Sequence, residues 1–156
     1  MRKARQKMKG ESCYYHLMSR ISGSPGDYPF GDVEKEYAFT LLADLSKLYF
    51  LEVISFCGMG NHWHLVVCDP YTKPTDKEII DRYNAYLKRH KKKPVLSGSM
   101  RSLDLKQLRQ RLTDISSLMK DLKQAFTVWF NRRHNRRGSL WSDRFKSTIL
   151  EGEQAL

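Results

Sequence analysis

The stretch LEVISFCGMGNHWHLVVCDP, residues 51–70, leaves the backbone few choices. Two runs, LEVISFC and HWHLVVC, are rich in β-branched and aromatic residues, and only GMGN separates them. Asp69-Pro70 closes the second run, since a proline nitrogen cannot donate to a ladder. Strands joined this closely pair as an antiparallel hairpin. Any fold for the chain must therefore contain an antiparallel sheet.

The flanking sequence supplies its partners. Residues 11–21, ESCYYHLMSRI, read as a strand that ends in the turn SGSPG. A helix is expected from Asp32, as N-cap, to about Phe50, with Glu34 and Glu36 in its first turn. Its apolar stripe is Ala38, Leu41, Leu42, Leu45, Leu48 and Tyr49. After the hairpin, TDKEIIDRYNAYLKRH predicts a helix from Thr75, KKKPVLSGSM breaks it, and a short helix spans Leu103–Arg111. Residues 71–112 thus read as an insertion on a compact core. Thr113 or Asp114 then caps a long helix. Ile115, Leu118, Met119, Leu122, Ala125, Phe126, Trp129 and Phe130 form one face of it, and it ends near FNRRH. The turn NRRGS leads into LWSDRFKSTIL, a final strand. Strand, helix, hairpin, insertion, helix, strand is the order of an α+β, ferredoxin-like sandwich, an antiparallel sheet with helices packed on one face.

Charge narrows the partners. Lys and Arg number 28 against 17 Asp and Glu, a formal +11 for 156 residues, which points to a polyanion, nucleic acid before a membrane surface. No apolar run is long enough to span a bilayer, and no lipidation motif is present. Residues 1–10 carry Arg2, Lys3, Arg5, Lys7 and Lys9 with no acid, the pattern of a mobile basic arm. They have no apolar segment behind them, so no signal peptide is expected. Cys13, Cys57 and Cys68, odd in number and scattered, suit reduced thiols in the cytoplasm.

Strand alternation places His62, His64, Val66 and Cys68 on one face and Trp63, Leu65 and Val67 on the other. Two imidazoles about 7 Å apart along a strand can converge on an ion or a phosphate. They can equally be satisfied by hydrogen bonds near a turn. Cys68 lies about 13 Å beyond His64, too far for the short bonds of a zinc site. Two histidines with an oxygen ligand around Mg²⁺ or Mn²⁺ fit better. A second constellation, FNRRHNRRGSLWSDRFKS, holds Arg132, Arg133, Arg136, Arg137, Arg144 and Lys146, with Trp141 and Phe145 interleaved. Forked guanidinium donors match phosphate oxygens, and aromatic rings stack on unpaired bases. The plainer alternatives are a solvated helix end and core aromatics. The same choice applies to the basic run KRHKKK, residues 88–93.

GNHWHLVV followed by a helix ending FNRRHNRRGSLWSDRFKS resembles the single-tyrosine HUH transposases, and among them the REP-associated tyrosine transposases. The resemblance runs from about Glu11 to the last residue. It implies that His62 and His64 bind a divalent cation that polarises a phosphodiester of single-stranded DNA. A tyrosine then attacks, leaving a 5′-phosphotyrosine and a 3′-OH. Such proteins act on DNA hairpins at repetitive elements, often as homodimers. The resemblance also implies a tyrosine on a helix after the final strand, with Asn-Pro following four residues on. Tyrosines stand at 14, 15, 28, 37, 49, 71, 83 and 86. EGEQAL reads as the beginning of that helix, so the chain is expected to lack its tyrosine-bearing turn. The alternative is a non-catalytic DNA-binding module on the same scaffold.

Overall fold

The computed structural model of the protein describes residues 7, 8, 10–24, 26, 27, 29–95 and 100–150. The elements in chain order are β1 (Cys13–Arg20), α1 (Asp32–Ser46), β2 (Glu52–Gly58), β3 (His62–Asp69), α2 (Asp76–Arg89), α3 (Ser102–Leu112), α4 (Ile115–Arg133) and β4 (Lys146–Leu150). The strands form one sheet in the order β2-β3-β1-β4, and every neighbouring pair is antiparallel. This is the expected α+β, ferredoxin-like arrangement.

Alternation decides the faces. Tyr15, Leu17, Trp63, Leu65 and Val67 are all but fully buried, and they meet the apolar stripes of α1 and α4 (Ala38, Leu42, Leu45; Leu118, Leu122, Phe126, Phe130). The opposite face carries Tyr14, His16, Met18 and Arg20 from β1, and His62, His64 and Val66 from β3, all half-buried or exposed. α2 and α3 join at the far end of the helix layer. There Arg82 donates to the Tyr49 carbonyl at 2.6 Å, Arg89 pairs with Asp44 and Arg111 with Asp121.

Capping follows local chemistry with one shift. Thr75 Oγ1 accepts the Glu78 N–H at 3.3 Å while Glu78 accepts the Thr75 N–H, a capping box. Asp114, not Thr113, caps α4 by accepting from Ser117 N–H at 2.9 Å. For α1 the N-cap is Gly31 rather than Asp32. The Gly31 N–H donates to Glu34 at 2.9 Å, so the glutamate three residues on sets the helix start.

One further expectation is revised. The final strand is shorter than LWSDRFKSTIL. Residues 140–145 are drawn off the ladder: Trp141 forms an isolated bridge to Ile21, and Ser142 N–H bonds the Arg20 carbonyl at 3.1 Å. At the end of the basic arm, Lys7 pairs with Asp114 and the Met8 N–H is donated to the Tyr15 hydroxyl at 2.9 Å. Residues 1–6 and 9 of the arm and the segment EGEQAL lie outside the described residues.

Candidate metal and nucleic-acid site

β3 starts at one end of the sheet, so its first turn of alternation puts His62 and His64 at the rim of the open face. Their ring centroids are 5.0 Å apart and the planes stand at 81°. Each ring has its Nδ1 engaged. His62 Nδ1 meets Asn61 Oδ1 at 2.7 Å. Asn61 is itself buried, and its carbonyl accepts the Ile21 N–H at 3.0 Å. His64 Nδ1 meets Nε2 of His16 at 2.9 Å across the β1–β3 ladder. Neither Nε2 of the pair makes a hydrogen bond among the described residues.

An imidazole that donates through Nδ1 keeps its lone pair on Nε2, and ligating histidines commonly tie their other nitrogen in this way. Burial, then the neighbouring His16 and His62, hold His64 below the ordinary imidazole range. It is therefore neutral and able to ligate at pH 7. The unengaged Nε2 atoms of the two rings are the nitrogens that could hold a divalent cation. Among the described residues no set of three His, Cys, Asp or Glu side chains is placed to hold an ion. Cys57 stands opposite His64 on β2, but it is exposed and its sulfur meets Met59 at 3.7 Å.

Trp63 points into the core. Its ring packs 4.5 Å from Trp141, 5.1 Å from Phe126 and 6.3 Å from Phe30 between centroids. This cluster fixes β3 against α4 and so fixes where the histidines stand.

The basic segment gathers at the same end of the molecule. α4 ends at His134 with Asn135 in the left-handed region, φ 48°, and the Arg136 N–H reaches back to the Asn131 carbonyl at 2.8 Å. This is the hydrogen bond of a Schellman turn, and it throws Arg136 and Arg137 outward. Arg132, Arg136, Arg137, Arg144 and Lys146 are exposed. Arg133 is committed differently: with His134 it binds Glu34, at 3.2 and 3.0 Å. Burial pushes the Glu34 carboxyl up, but hydrogen bonds from His134, the backbone and Arg133 outweigh it and hold the group below its usual range. Trp141 is half-buried. Its indole N–H donates to Thr127 Oγ1 at 2.8 Å, its ring joins the Trp63 cluster, and the Lys123 amine lies 5.1 Å from its centroid. Trp141 and Arg144 line a cleft of about 550 Å³ beside α4. Lys146 pairs with Met18, which in turn lies opposite His64, so Lys146 belongs to the histidine face.

Tyr15 and Tyr49 lie in the core and Tyr37 is packed against it. The Tyr15 hydroxyl is bonded to Met8, and burial pushes it up to about 12. Tyr49 donates to Asp121 at 2.7 Å, and Tyr37 stacks on Trp129 at 3.9 Å. Tyr83 and Tyr86 pack against the core. Tyr14 shares the open face, but it stands four residues along β1 from the position opposite His64, about 13 Å away.

A ferredoxin-like sheet with a histidine pair at the rim of its open face and an arginine-rich turn at the same end defines the class of site. Among solved structures the chain is similar to a REP-associated tyrosine transposase bound to a REP hairpin, with a TM-score of 0.57 and 10% identity, over 99% of this chain and 65% of that one. That likeness establishes a transposase-like fold. A candidate transposase from Deinococcus radiodurans is similar at a TM-score of 0.48 and 14% identity, over 99% of this chain and 89% of that one, too slight to carry weight. No family model and no curated protein matches the chain. Among the described residues no helix is long and apolar enough to cross a membrane.

Proposed function

We propose that this chain is the DNA-processing domain of an HUH-type tyrosine transposase, acting on single-stranded or hairpin DNA in the cytoplasm. The supporting observation is the pairing of His62 and His64, each with Nδ1 tied and Nε2 unengaged, on a fold shared with a hairpin-bound transposase. Through those Nε2 atoms the pair would hold Mg²⁺ or Mn²⁺, whose charge when bound draws electron density from a phosphate oxygen.

The chain's own residues do the rest of the binding. Arg132, Arg136, Arg137 and Arg144 contact phosphates at the arginine-rich end, and Lys146 does so beside the histidines. Arg133 braces the turn through Glu34, with its outer edge available to DNA. Trp141 offers a partly open ring beside the α4 cleft. The nucleophile would be a tyrosine, of the same chain or of the partner in a homodimer. Its phenol oxygen bonds to phosphorus as the 3′-oxygen leaves. A second reading, a DNA-binding module that cuts nothing, is favoured by one observation: among the described residues no set of three His, Cys, Asp or Glu side chains is placed to hold an ion.

The test is strand nicking of a labelled single-stranded hairpin by protein made from the whole reading frame, with Mn²⁺. The expected result is a covalent protein–DNA adduct that disappears in His62→Ala and His64→Ala while hairpin binding persists. Undiminished nicking by both variants removes the histidine assignment. Binding without any adduct from the whole reading frame selects the module.

A further inference from the structure

His16 is absorbed by none of the roles above, yet it makes the most directed contact on the open face. Its Nε2 lies 2.9 Å from His64 Nδ1. The ring planes differ by only 9° with centroids 5.0 Å apart. Rings whose nitrogens are 2.9 Å apart reach a 5.0 Å centroid separation only when they lie side by side. The contact is therefore an in-plane hydrogen bond, not a face-to-face stack. A hydrogen bond between two neutral imidazoles needs one N–H and one lone pair.

We propose that His16 is a positioning residue. It accepts the Nδ1–H of His64 and thereby holds His64 in the tautomer whose Nε2 lone pair faces the rim. A free neutral imidazole favours the proton on Nε2, which would block that nitrogen as a ligand, so without His16 the lone pair of His64 sits on the wrong side of the ring. Asn61 does the same for His62, so the two Nε2 lone pairs are set by different partners, one in the β2–β3 turn and one on β1. The same bond uses up His16 Nε2, which makes His16 an orienting group and not a third ligand, in keeping with the absence of a three-ligand set among the described residues. The value of this arrangement for cation binding rests on the reading given under Proposed function; the tautomer itself does not.

Both parts are measured separately. In the metal-free protein, long-range ¹⁵N–¹H correlation should find His64 protonated on Nδ1. It should move to the Nε2–H form in His16→Ala and return in His16→Gln, whose amide oxygen can take the place of Nε2. Isothermal titration with Mn²⁺ should then show about 10- to 100-fold weaker binding in His16→Ala and near wild-type binding in His16→Gln. His64 protonated on Nε2 in the wild type, or unchanged in His16→Ala, overturns the proposal. So does a His16→Gln variant that restores the tautomer but not Mn²⁺ binding, since His16 would then be a ligand itself. If wild-type protein shows the stated tautomers and takes up no Mn²⁺, the cation reading falls and the positioning role stands.

Discussion

Replacing Trp63 separates packing from hydrogen bonding at the centre of the core. The side chain is 1% exposed and touches four aromatic rings, those of Phe30, Phe56, Phe126 and Trp141. Among the described residues its indole N–H has no hydrogen-bond partner. Truncation to alanine should cost about 3–5 kcal/mol, a large part of the ~5–15 kcal/mol available to a domain. Phenylalanine is a different case. It leaves a void of about 40 Å³, worth ~1 kcal/mol at the usual cavity coefficient, and gives up about 1 kcal/mol of apolar transfer. It also removes a buried, unpaired donor, whose burden in the native state is about 1–3 kcal/mol. The terms nearly cancel, so Trp63→Phe should fall within about 1 kcal/mol of wild type while Trp63→Ala falls far below it. Urea unfolding followed by far-ultraviolet circular dichroism measures both, because the midpoint shifts while the slope reports two-state behaviour. A phenylalanine variant as unstable as the alanine variant would refute the reasoning, since the indole N–H would then have to be engaged.

Glu34→Gln should destabilise the protein near neutral pH by about 1–3 kcal/mol, and urea titrations across pH check the sign. The carboxylate is depressed in the folded state, so its contribution is full above the ordinary carboxylate range and fades as pH falls through the folded value. The gap between variant and wild type should close in acid, and a gap that persists there would assign the loss to packing. Neutralising Arg136 and Arg137 together should weaken hairpin binding in fluorescence anisotropy. It should lower the salt slope by about 1.4 to 1.8, two contacts at ~0.7 each on a single strand or ~0.9 each on a duplex stem. An unchanged slope would take both residues off the phosphates.

Much of this architecture is legible in the sequence because it is local. The β2–β3 hairpin, the stripe on α4 and the Thr75 and Asp114 caps each rest on residues a few positions apart, and each stands as the spacing requires. What could not be read depends on distant register. His16 sits in YYHLM as one more polar residue of an alternating strand, and only the β1–β3 pairing carries it to His64, 48 positions away. Glu34 reads as a helix-dipole carboxylate, but its partners Arg133 and His134 come from the other end of the chain. The over-long final strand has the same origin: Trp141 has strand-like neighbours, and its indole is claimed by Thr127 on α4. The histidine pair was visible as a motif. The partner of His64 was not, because His16 reaches it only through the β1–β3 pairing.

The antiparallel pairing of β1 with β4 works as a ruler. β4 begins opposite Met18, the residue that also faces His64, and ends opposite Tyr14. The chain therefore leaves the sheet travelling away from the histidines. A following helix that brought a phenol back to them would have to retrace four residues of strand, about 13 Å. At 1.5 Å per residue that takes about nine residues. A helical return thus brings a side chain level with the histidines about nine residues after the strand, whereas an extended return needs only about four.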